Sequence, residues 1–146
     1  MRAEATAAGL ARLFFASAGD GGAPAGGEGD SPILELLRAQ LAEYFAGTRR
    51  TFTVPLAPAP TPFQRLAREA LLAIPYGETR GYGRQAALMG RPGAARAAGG
   101  ANRANPVALL VPCHRVIGAG GALAGYAGGV DRKAWLLRHE RAAAGR

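Results

Sequence analysis

Apolar residues recur with helical spacing in two stretches of the chain. The first follows Ser31 and Pro32, which suit a helix N-cap and first turn, and it ends at Gly47. The second opens with residues 61–64 (Thr-Pro-Phe-Gln), a capping box with proline at the first helical position. We therefore predict two amphipathic helices, one beginning near Pro32 and the other near Pro62.

The rest of the N-terminal part predicts a short strand and loops. Residues 10–17 contain an apolar run that suits one strand, and the glycine-rich residues 19–30 predict a loop. Residues 51–56 predict an extended segment. Three prolines in residues 56–62 exclude a helix there and indicate a linker.

The C-terminal part carries a helix-turn-helix pattern followed by a predicted hairpin. A short helix over about 82–89 and a helix of small residues over 93–103 are joined by a tight turn. Residues 107–111 predict a buried strand, and residues 116–123 predict two strands around a glycine turn, which would serve as a wing. Asp131 is expected to cap the final helix.

Charge divides the chain near residue 60. Residues 1–60 carry five Arg and six acidic residues, whereas residues 61–146 carry twelve Arg, one Lys and four acidic residues. This change of sign across the proline-rich linker places a domain boundary there, so we predict domains at 1–59 and 60–146. The basic second domain suits a polyanion such as nucleic acid, although a solvated basic surface explains the charge equally well.

Length and composition exclude several classes of protein. At 146 residues the chain is too short for a large multidomain enzyme, and it has no apolar run of the roughly 18 residues that a transmembrane helix needs. The N-terminus lacks the basic segment and apolar run of a secretory signal, so we expect a soluble, cytoplasmic protein. One cysteine excludes an internal disulfide, and one cysteine with two histidines does not make a zinc site without carboxylates. We expect no metal, and any chemistry at Cys113 uses a lone thiol.

Residues 112–115 (Pro-Cys-His-Arg) are the candidate reactive segment. A free cysteine is often an inert apolar residue, but a neighbouring histidine and a cationic segment favour the reactive thiolate. Adjacent side chains on an extended chain point apart, so His114 would act on Cys113 through a water molecule. Only Asp131 and Glu140 follow as acids that could orient the imidazole, and the expected cap at Asp131 leaves Glu140.

Residues 112–116 (Pro-Cys-His-Arg-Val) resemble the active-site signature of the O6-alkylguanine-DNA alkyltransferases, also called methylated-DNA–protein-cysteine methyltransferases. Further segments resemble that family in the same order, at residues 61–79, 95–97, 105–106 and 125–140. The resemblance implies an α+β fold. In it, a ribonuclease-H-like α/β domain, here small and shortened, precedes a winged helix-turn-helix-like domain that holds the active site.

The family resemblance also implies a reaction, which is DNA repair by direct reversal. The alkyl group of O6-alkylguanine, and of O4-alkylthymine, in a flipped-out base would pass irreversibly to Cys113, once per molecule and without a cofactor. His114 would act through water and Glu140 would complete this relay. Tyr82 would contact the flipped nucleotide and supply a proton to the base, and Asn105 would hold the recognition helix to the active-site turn.

The same resemblance places the DNA interface and the base pocket. Double-stranded DNA would be approached through the minor groove by a monomer, with Arg96 filling the gap left by the flipped base. The helix around Arg96 holds mostly Ala and Gly, which favours close approach to the minor groove over base reading in the major groove. The expected DNA-binding residues are Tyr82, Ala95, Arg96, Ala97, Gly99, Gly100, Arg103 and Arg115, and the expected pocket residues are Val116, Tyr126, Ala127 and Gly128.

Three other classes of protein share parts of this pattern. An alkyltransferase-like protein that flips damaged guanine without removing the alkyl group would lack the cysteine. A winged-helix transcription regulator would need base-reading side chains on its recognition helix. A cysteine hydrolase would need an oxyanion site, of which the sequence gives no sign. The cysteine and the helix of small residues together favour alkyl transfer.

Overall fold

The computed structural model describes residues 1–16, 31–123 and 125–145. The loop predicted at 19–30 lies outside these residues. Within them the fold is mixed α/β, with two two-stranded sheets and five α-helices. No helix of this described part combines the length and the hydropathy that crossing a bilayer requires.

The chain divides into two compact units. The first comprises residues 1–58 with 106–108, and the second comprises residues 59–105 with 109–146. The predicted domains differ from these units because they keep residues 106–108 in the second domain and place Ala59 in the first. The candidate reactive segment and the predicted helix-turn-helix both belong to the second unit.

The first unit is built on an antiparallel strand pair. Strand β1 (Arg2–Thr6) pairs with β2 (Gly9–Phe14), and helix α1 (Pro32–Phe45) follows. The predicted strand at 10–17 is confirmed in part as β2, whereas β1 was not predicted because its small and charged residues form no apolar run. Helix α1 is confirmed, and Ser31 Oγ caps it by accepting a hydrogen bond from the Leu34 N–H.

Gly9 allows a second segment to approach β2 closely. Its φ is +128°, and a Cβ at this position would lie 2.7 Å from the backbone carbonyl carbon of Leu56. Leu10 forms a single parallel bridge with Leu56, so the extended segment predicted at 51–56 joins the unit through one bridge. Leu10, Leu13 and Tyr44 are buried and form part of the core of this unit.

The second unit is mainly helical. The predicted Thr61 cap is confirmed, since Thr61 Oγ1 accepts a hydrogen bond of 3.1 Å from the Gln64 N–H. The Gln64 side chain accepts a 3.5 Å hydrogen bond from the Thr61 hydroxyl, which differs from the backbone bond of the predicted capping box. Short side chains in the core allow close helix packing; the buried cluster consists of Ala67, Ala70, Ala86, Met89 and Ala98. The helices are α2 (Pro62–Leu72), α3 (Tyr82–Leu88), α4 (Ala95–Arg103) and α5 (Val130–Ala143).

The strand predicted at residues 107–111 is wrong. These residues form a buried turn, and only Val107 makes an isolated bridge, to Leu13. Leu109 has a φ of +71°, which is incompatible with a strand. The apolar run reflects burial of an irregular segment, and burial alone does not distinguish a turn from a strand.

The wing predicted at residues 116–123 is also wrong. Strand β4 (Val116–Ile117) pairs in parallel with β3 (Arg80–Gly81), which is distant in sequence, and the chain then turns through a 3₁₀ helix at Ala119–Gly121. A partner far along the chain therefore replaces the expected local hairpin. This pairing joins the segment before α3 to the segment after the cysteine.

The start of α5 differs from the prediction that Asp131 caps this helix. The residue before the helix is Gly129, with a φ of +96° and no side-chain hydrogen bond to the first turn. Asp131 lies within the first turn, where its carboxylate suits the positive end of the helix dipole. The predicted cap was wrong because the chain turns into the helix at Gly129, two residues earlier.

Candidate active site

The thiol of Cys113 lies in a polar setting at the start of a 3₁₀ helix, Cys113–Arg115. Cys113 is 7% exposed. Asn105, just beyond the end of α4, places its Nδ2 3.3 Å from Cys113 Sγ and 3.0 Å from the Val111 carbonyl oxygen. One amide thus ties the end of α4 to the turn that presents the sulfur. The structure brings Asn105 and Cys113 together as the sequence analysis expected.

His114 and Glu140 form a buried pair. The distance from His114 Nε2 to Glu140 Oε2 is 2.7 Å, and both side chains are essentially inaccessible. The 3₁₀ helix supplies the histidine and α5 supplies the carboxylate, 26 residues later. The structure therefore joins the two residues that the sequence analysis paired.

Arg115 is a buried partner of Glu140 and was wrongly expected at the DNA surface. Its Nε lies 2.8 Å from Glu140 Oε1, and its Nη2 lies 3.1 Å from Glu140 Oε2. Its Nη1 donates a 2.9 Å hydrogen bond to the carbonyl oxygen of Ile74, just after α2. With all these bonds made inside the unit and 7% of the residue exposed, the guanidinium is not presented to a nucleic acid.

Hydrogen-bond donors of His114 and Arg115 keep Glu140 ionised. Burial alone would raise the pKa of this carboxyl, but hydrogen bonds from His114 and Arg115, together with the charge of Arg115, bring the pKa down to about 2. An ionised carboxylate only accepts hydrogen bonds, so His114 Nε2 carries the hydrogen. Burial lowers the pKa of His114, which keeps the imidazole neutral at pH 7. Nδ1 is therefore the basic nitrogen, and within the described residues no protein atom forms a hydrogen bond with it.

Burial raises the pKa of the Cys113 thiol, while the Asn105 hydrogen bond and the charge of Lys133 oppose this shift. The thiol therefore needs a base to become nucleophilic near neutral pH. Lys133 on α5 is itself buried, and burial lowers its pKa. Lys133 was not predicted as a site residue, because a lysine in a charged helix is normally solvated. The sequence does contain one indication: Lys133 is the one lysine in a chain with 17 arginines.

Two tyrosines approach the same region. The pKa of Tyr82 is raised by burial and by the proximity of Cys113, with Arg103 acting in the opposite direction. Burial and Cys113 likewise raise the pKa of Tyr126. A Cβ on Gly125 would lie 3.2 Å from Arg103 Nη2 and 3.7 Å from Tyr82 Oη, so these two polar groups flank one stretch of backbone.

The remaining predicted residues lie on α4 and in the turn before α5. Arg96, Ala97, Gly100 and Arg103 are exposed, whereas Ala95 and Gly99 are half-buried. A Cβ on Gly99 would lie 3.5 Å from the Tyr82 ring, so α4 packs closely against the start of α3. Of the expected pocket residues, Val116 is buried, Tyr126 and Gly128 are half-buried, and Ala127 is exposed. In the part of the chain that the structure describes, no three His, Cys, Asp or Glu side chains gather into a metal-ligand set.

Comparison with known families identifies the family of this chain. Residues 62–142, more than half of the chain, match the family model described as 6-O-methylguanine DNA methyltransferase, DNA binding domain. The chain belongs to this family. The resemblance seen in residues 112–116 and the surrounding segments is thereby confirmed.

Curated members of the methyltransferase family are similar over most of this chain. The methylated-DNA–protein-cysteine methyltransferase of Salmonella typhimurium is 59% identical over 105 residues, which cover 71% of this chain and 61% of that protein. The one from Mycobacterium leprae is 55% identical over 103 residues, covering 70% and 62%. The chain thus spans less than two thirds of the length of these two relatives.

Solved methyltransferase structures share the fold. The O6-methylguanine methyltransferase of Mycobacterium tuberculosis matches with a TM-score of 0.71 at 53% identity, covering 75% of this chain and 66% of that one. An OGT of the same organism in complex with DNA also matches with a TM-score of 0.71, at 54% identity and with 73% and 65% covered. These matches fix the mixed α/β fold of the chain.

Acid is expected to destabilise this methyltransferase-family chain in two steps. The pKa of His114 lies below its ordinary 6.5, and the pKa of Glu140 is about 2 instead of 4.5. In both cases the unfolded chain takes up the proton first, so the free energy of unfolding decreases as the pH falls below 6.5 and again between 4.5 and 2. The Glu140 step contributes about 3 kcal/mol.

Urea unfolding across this pH range measures both steps. The matched control is Glu69→Gln, which removes an exposed carboxylate from α2 in the same unit and is expected to leave the acid dependence in place. A free energy of unfolding that stayed level from neutral pH down to 2 would contradict an ionised, buried Glu140.

Proposed function

We propose that this protein repairs alkylated DNA by moving the alkyl group from O6 of guanine, and from O4 of thymine, to its own Cys113. The observation that carries the proposal is the thiol held by Asn105 beside the buried His114–Glu140 pair. Similar proteins are named methylated-DNA–protein-cysteine methyltransferases, and one structure of a relative contains DNA. Both support a cysteine acceptor acting on a DNA substrate.

The relay of Cys113, His114 and Glu140 supplies the nucleophile. The thiol proton passes through a water molecule to His114 Nδ1, and Glu140 stabilises the imidazolium that forms. The thiolate then attacks the alkyl carbon in line with the bond to O6. A carbon–sulfur bond forms, the carbon–oxygen bond breaks, and guanine leaves as an anion that takes a proton from the Tyr82 hydroxyl. The product is a thioether, so each molecule reacts once and needs no cofactor.

The proposed DNA interface is centred on α4. We assign α3 and α4 to a helix-turn-helix and the first unit to a shortened ribonuclease-H-like domain, as the family resemblance implies. Helix α4 would enter the minor groove of a duplex, because the exposed Ala97 and Gly100 add no long side chain that would clash with a narrow groove. The protein would bind as a monomer. The exposed Arg96 would fill the gap left by the flipped base, and Arg103 would lie beside the flipped nucleotide near Tyr82.

The pocket proposed for the flipped base lies between the cysteine turn and the turn before α5. Val116 follows the 3₁₀ helix that carries Cys113, and the Gly129 N–H donates a 3.0 Å hydrogen bond to the Tyr126 carbonyl oxygen, which closes the turn containing Ala127 and Gly128. The Val116 N–H donates to the Cys113 carbonyl oxygen. Other backbone groups of Val116 and nearby residues, together with the hydroxyl of Tyr126, would therefore meet the guanine edge. We propose that they select the damaged base by shape and hydrogen bonding.

Intact mass spectrometry tests the proposed reaction directly. After incubation with a duplex containing O6-methylguanine, the protein is expected to gain one methyl group, about 14 Da, in a one-to-one ratio with the lesion. Because Cys113 is the only cysteine, peptide mapping locates the group without ambiguity. Cys113→Ser is the control and is expected to gain nothing. An unmodified wild-type protein that still bound the lesion would indicate an alkyltransferase-like binding protein instead, and repeated turnover would contradict the thioether product.

A further inference from the structure

Gln85 and Asn102 form a buried amide pair between α3 and α4. Gln85 Nε2 donates to Asn102 Oδ1 and Asn102 Nδ2 donates to Gln85 Oε1, each over 2.7 Å. Both residues are almost completely inaccessible to solvent. Each amide therefore satisfies one donor and one acceptor of the other in a closed ring of two hydrogen bonds.

This pair differs from its apolar surroundings because hydrogen bonds, unlike apolar contacts, require a fixed geometry between the two helices. The buried apolar neighbours on α3 and α4 include Ala86 and Ala98, whose methyl groups pack closely but tolerate a sliding motion. Two amide hydrogen bonds do not tolerate sliding, because a displacement of one residue along either helix would break both and leave buried polar groups unpaired. The pair thus fixes the register of α4 on α3.

The same pair is connected to the reactive sulfur. The Asn105 N–H donates a 3.1 Å hydrogen bond to the Asn102 carbonyl oxygen, and Asn105 Nδ2 in turn lies 3.3 Å from Cys113 Sγ. At the other end, Gln85 lies one turn after Tyr82, the first residue of α3. A set of hydrogen bonds therefore runs from both amides through Asn105 to the thiol, and the helix that carries Gln85 also carries Tyr82.

We propose that Gln85 and Asn102 are positioning residues for alkyl transfer from duplex DNA. The inference rests on the proposed function, in which α4 lies in the groove while a flipped base reaches Cys113. The distance from α4 to Cys113 Sγ then determines whether the thiolate can attack the alkyl carbon in line with the bond to O6. A misplacement of about 1 Å between reacting groups can reduce a rate by as much as 10²-fold. By holding α4 in register on α3, the amide pair keeps this distance fixed.

The double variant Gln85→Met/Asn102→Leu tests the proposal. It removes both amides together, so neither is left buried without a partner. The rate of methyl transfer from duplex O6-methylguanine is expected to fall by roughly 10-fold to 100-fold. The rate of Cys113 alkylation by iodoacetamide, which needs no DNA, is expected to change by less than about twofold, because the thiol keeps its own neighbours.

A second variant keeps the test decisive if the double variant folds poorly. Gln85→Glu retains the size of the side chain but loses the Nε2 donor and turns a second oxygen towards Asn102 Oδ1, so the same selective loss of duplex transfer is expected. The matched control is Met89→Ala, which removes buried apolar volume at the end of α3 and leaves both side-chain amides in place. We expect Met89→Ala to lower the urea midpoint while the ratio of duplex transfer to iodoacetamide reaction stays unchanged.

Each outcome bears on the proposal. A selective loss of duplex transfer supports it, and recovery in the exchanged pair Gln85→Asn/Asn102→Gln supports it further. Equal loss of both reactions, or a ratio that matches Met89→Ala, would show that the pair only stabilises the fold and would overturn the inference. If the wild-type protein takes up no methyl group from the duplex, the proposed function is overturned and this role is overturned with it.

Discussion

Glu140→Gln is expected to impair both folding and alkyl transfer severely. The carboxylate accepts hydrogen bonds from His114 Nε2, Arg115 Nε and Arg115 Nη2, whereas an amide would offer one oxygen and direct an NH₂ group at the remaining donors. The guanidinium of Arg115 would remain buried without its counter-charge, which typically costs about 3–5 kcal/mol. The imidazolium formed during the reaction would lose its anion, so we expect transfer to slow by roughly 10²-fold to 10⁴-fold.

A second variant separates the two effects. Replacing both members of the ion pair with apolar residues, as in Arg115→Met/Glu140→Leu, removes the unpaired charge, and such replacements are often neutral or stabilising. We expect this variant to recover only part of the lost stability in urea unfolding, because the buried His114 Nε2–H still lacks its acceptor. We expect it to remain as slow as Glu140→Gln in the mass-spectrometric time course. Recovery of the transfer rate together with stability would show that Glu140 acts only through folding and would contradict its place in the relay.

The sequence predicted Glu140 because few acids follow the cysteine. Asp131 and Glu140 were the only choices, and assigning the first to the start of α5 left the second, although Asp131 does not cap the helix. The predicted contact between Glu140 and His114 is present, while the predicted cap at Asp131 is wrong. Glu140 joins His114 because α5 and the 3₁₀ helix pack together, a tertiary contact that sequence spacing does not encode.

Buried cations were beyond what the sequence pattern could predict. Arg115 was counted among the DNA-binding residues that the family resemblance implied, and Lys133 was not singled out, because arginine and lysine are rarely fully buried. Arg115 is buried because Glu140 offsets its charge, and Lys133 Nζ lies 5.9 Å from the centroid of the Tyr82 ring. Charge counting along the chain cannot distinguish a cation directed at DNA from one enclosed in the protein.

Elements fixed by local signals were predicted, and elements fixed by distant partners were not. Helices α1 and α2 begin at a Ser or Thr cap followed by proline, and both signals lie within a few residues. Strand β4 pairs with β3, from which more than thirty residues separate it, so its parallel partner could not be read from residues 116–123. Local capping chemistry is visible in sequence, whereas the pairing of two short strands depends on the packing of the whole unit.

Arg96→Ala is expected to reduce transfer from duplex DNA by roughly 10-fold to 100-fold, because a side chain inserted behind a flipped base offsets an extrusion cost of a few kcal/mol. Arg96 is exposed near the start of α4, and the structure gives it none of the buried hydrogen bonds that hold Arg115, so we expect its loss to leave the urea midpoint nearly unchanged. The measurement is the mass-spectrometric rate of methyl transfer from one lesion in duplex and in single-stranded DNA.

The single-stranded substrate distinguishes base flipping from simple charge. An unpaired base needs little extrusion, so the deficit of Arg96→Ala is expected to shrink on single-stranded DNA. Arg91→Ala, which removes another exposed arginine shortly before α4, is the matched control. It is expected to weaken binding to both substrates by a similar factor, as loss of one phosphate contact would. If Arg96→Ala slowed methyl transfer equally on duplex and single-stranded DNA, Arg96 would act only as a phosphate contact. Another side chain of α4 would then have to fill the gap behind the flipped base.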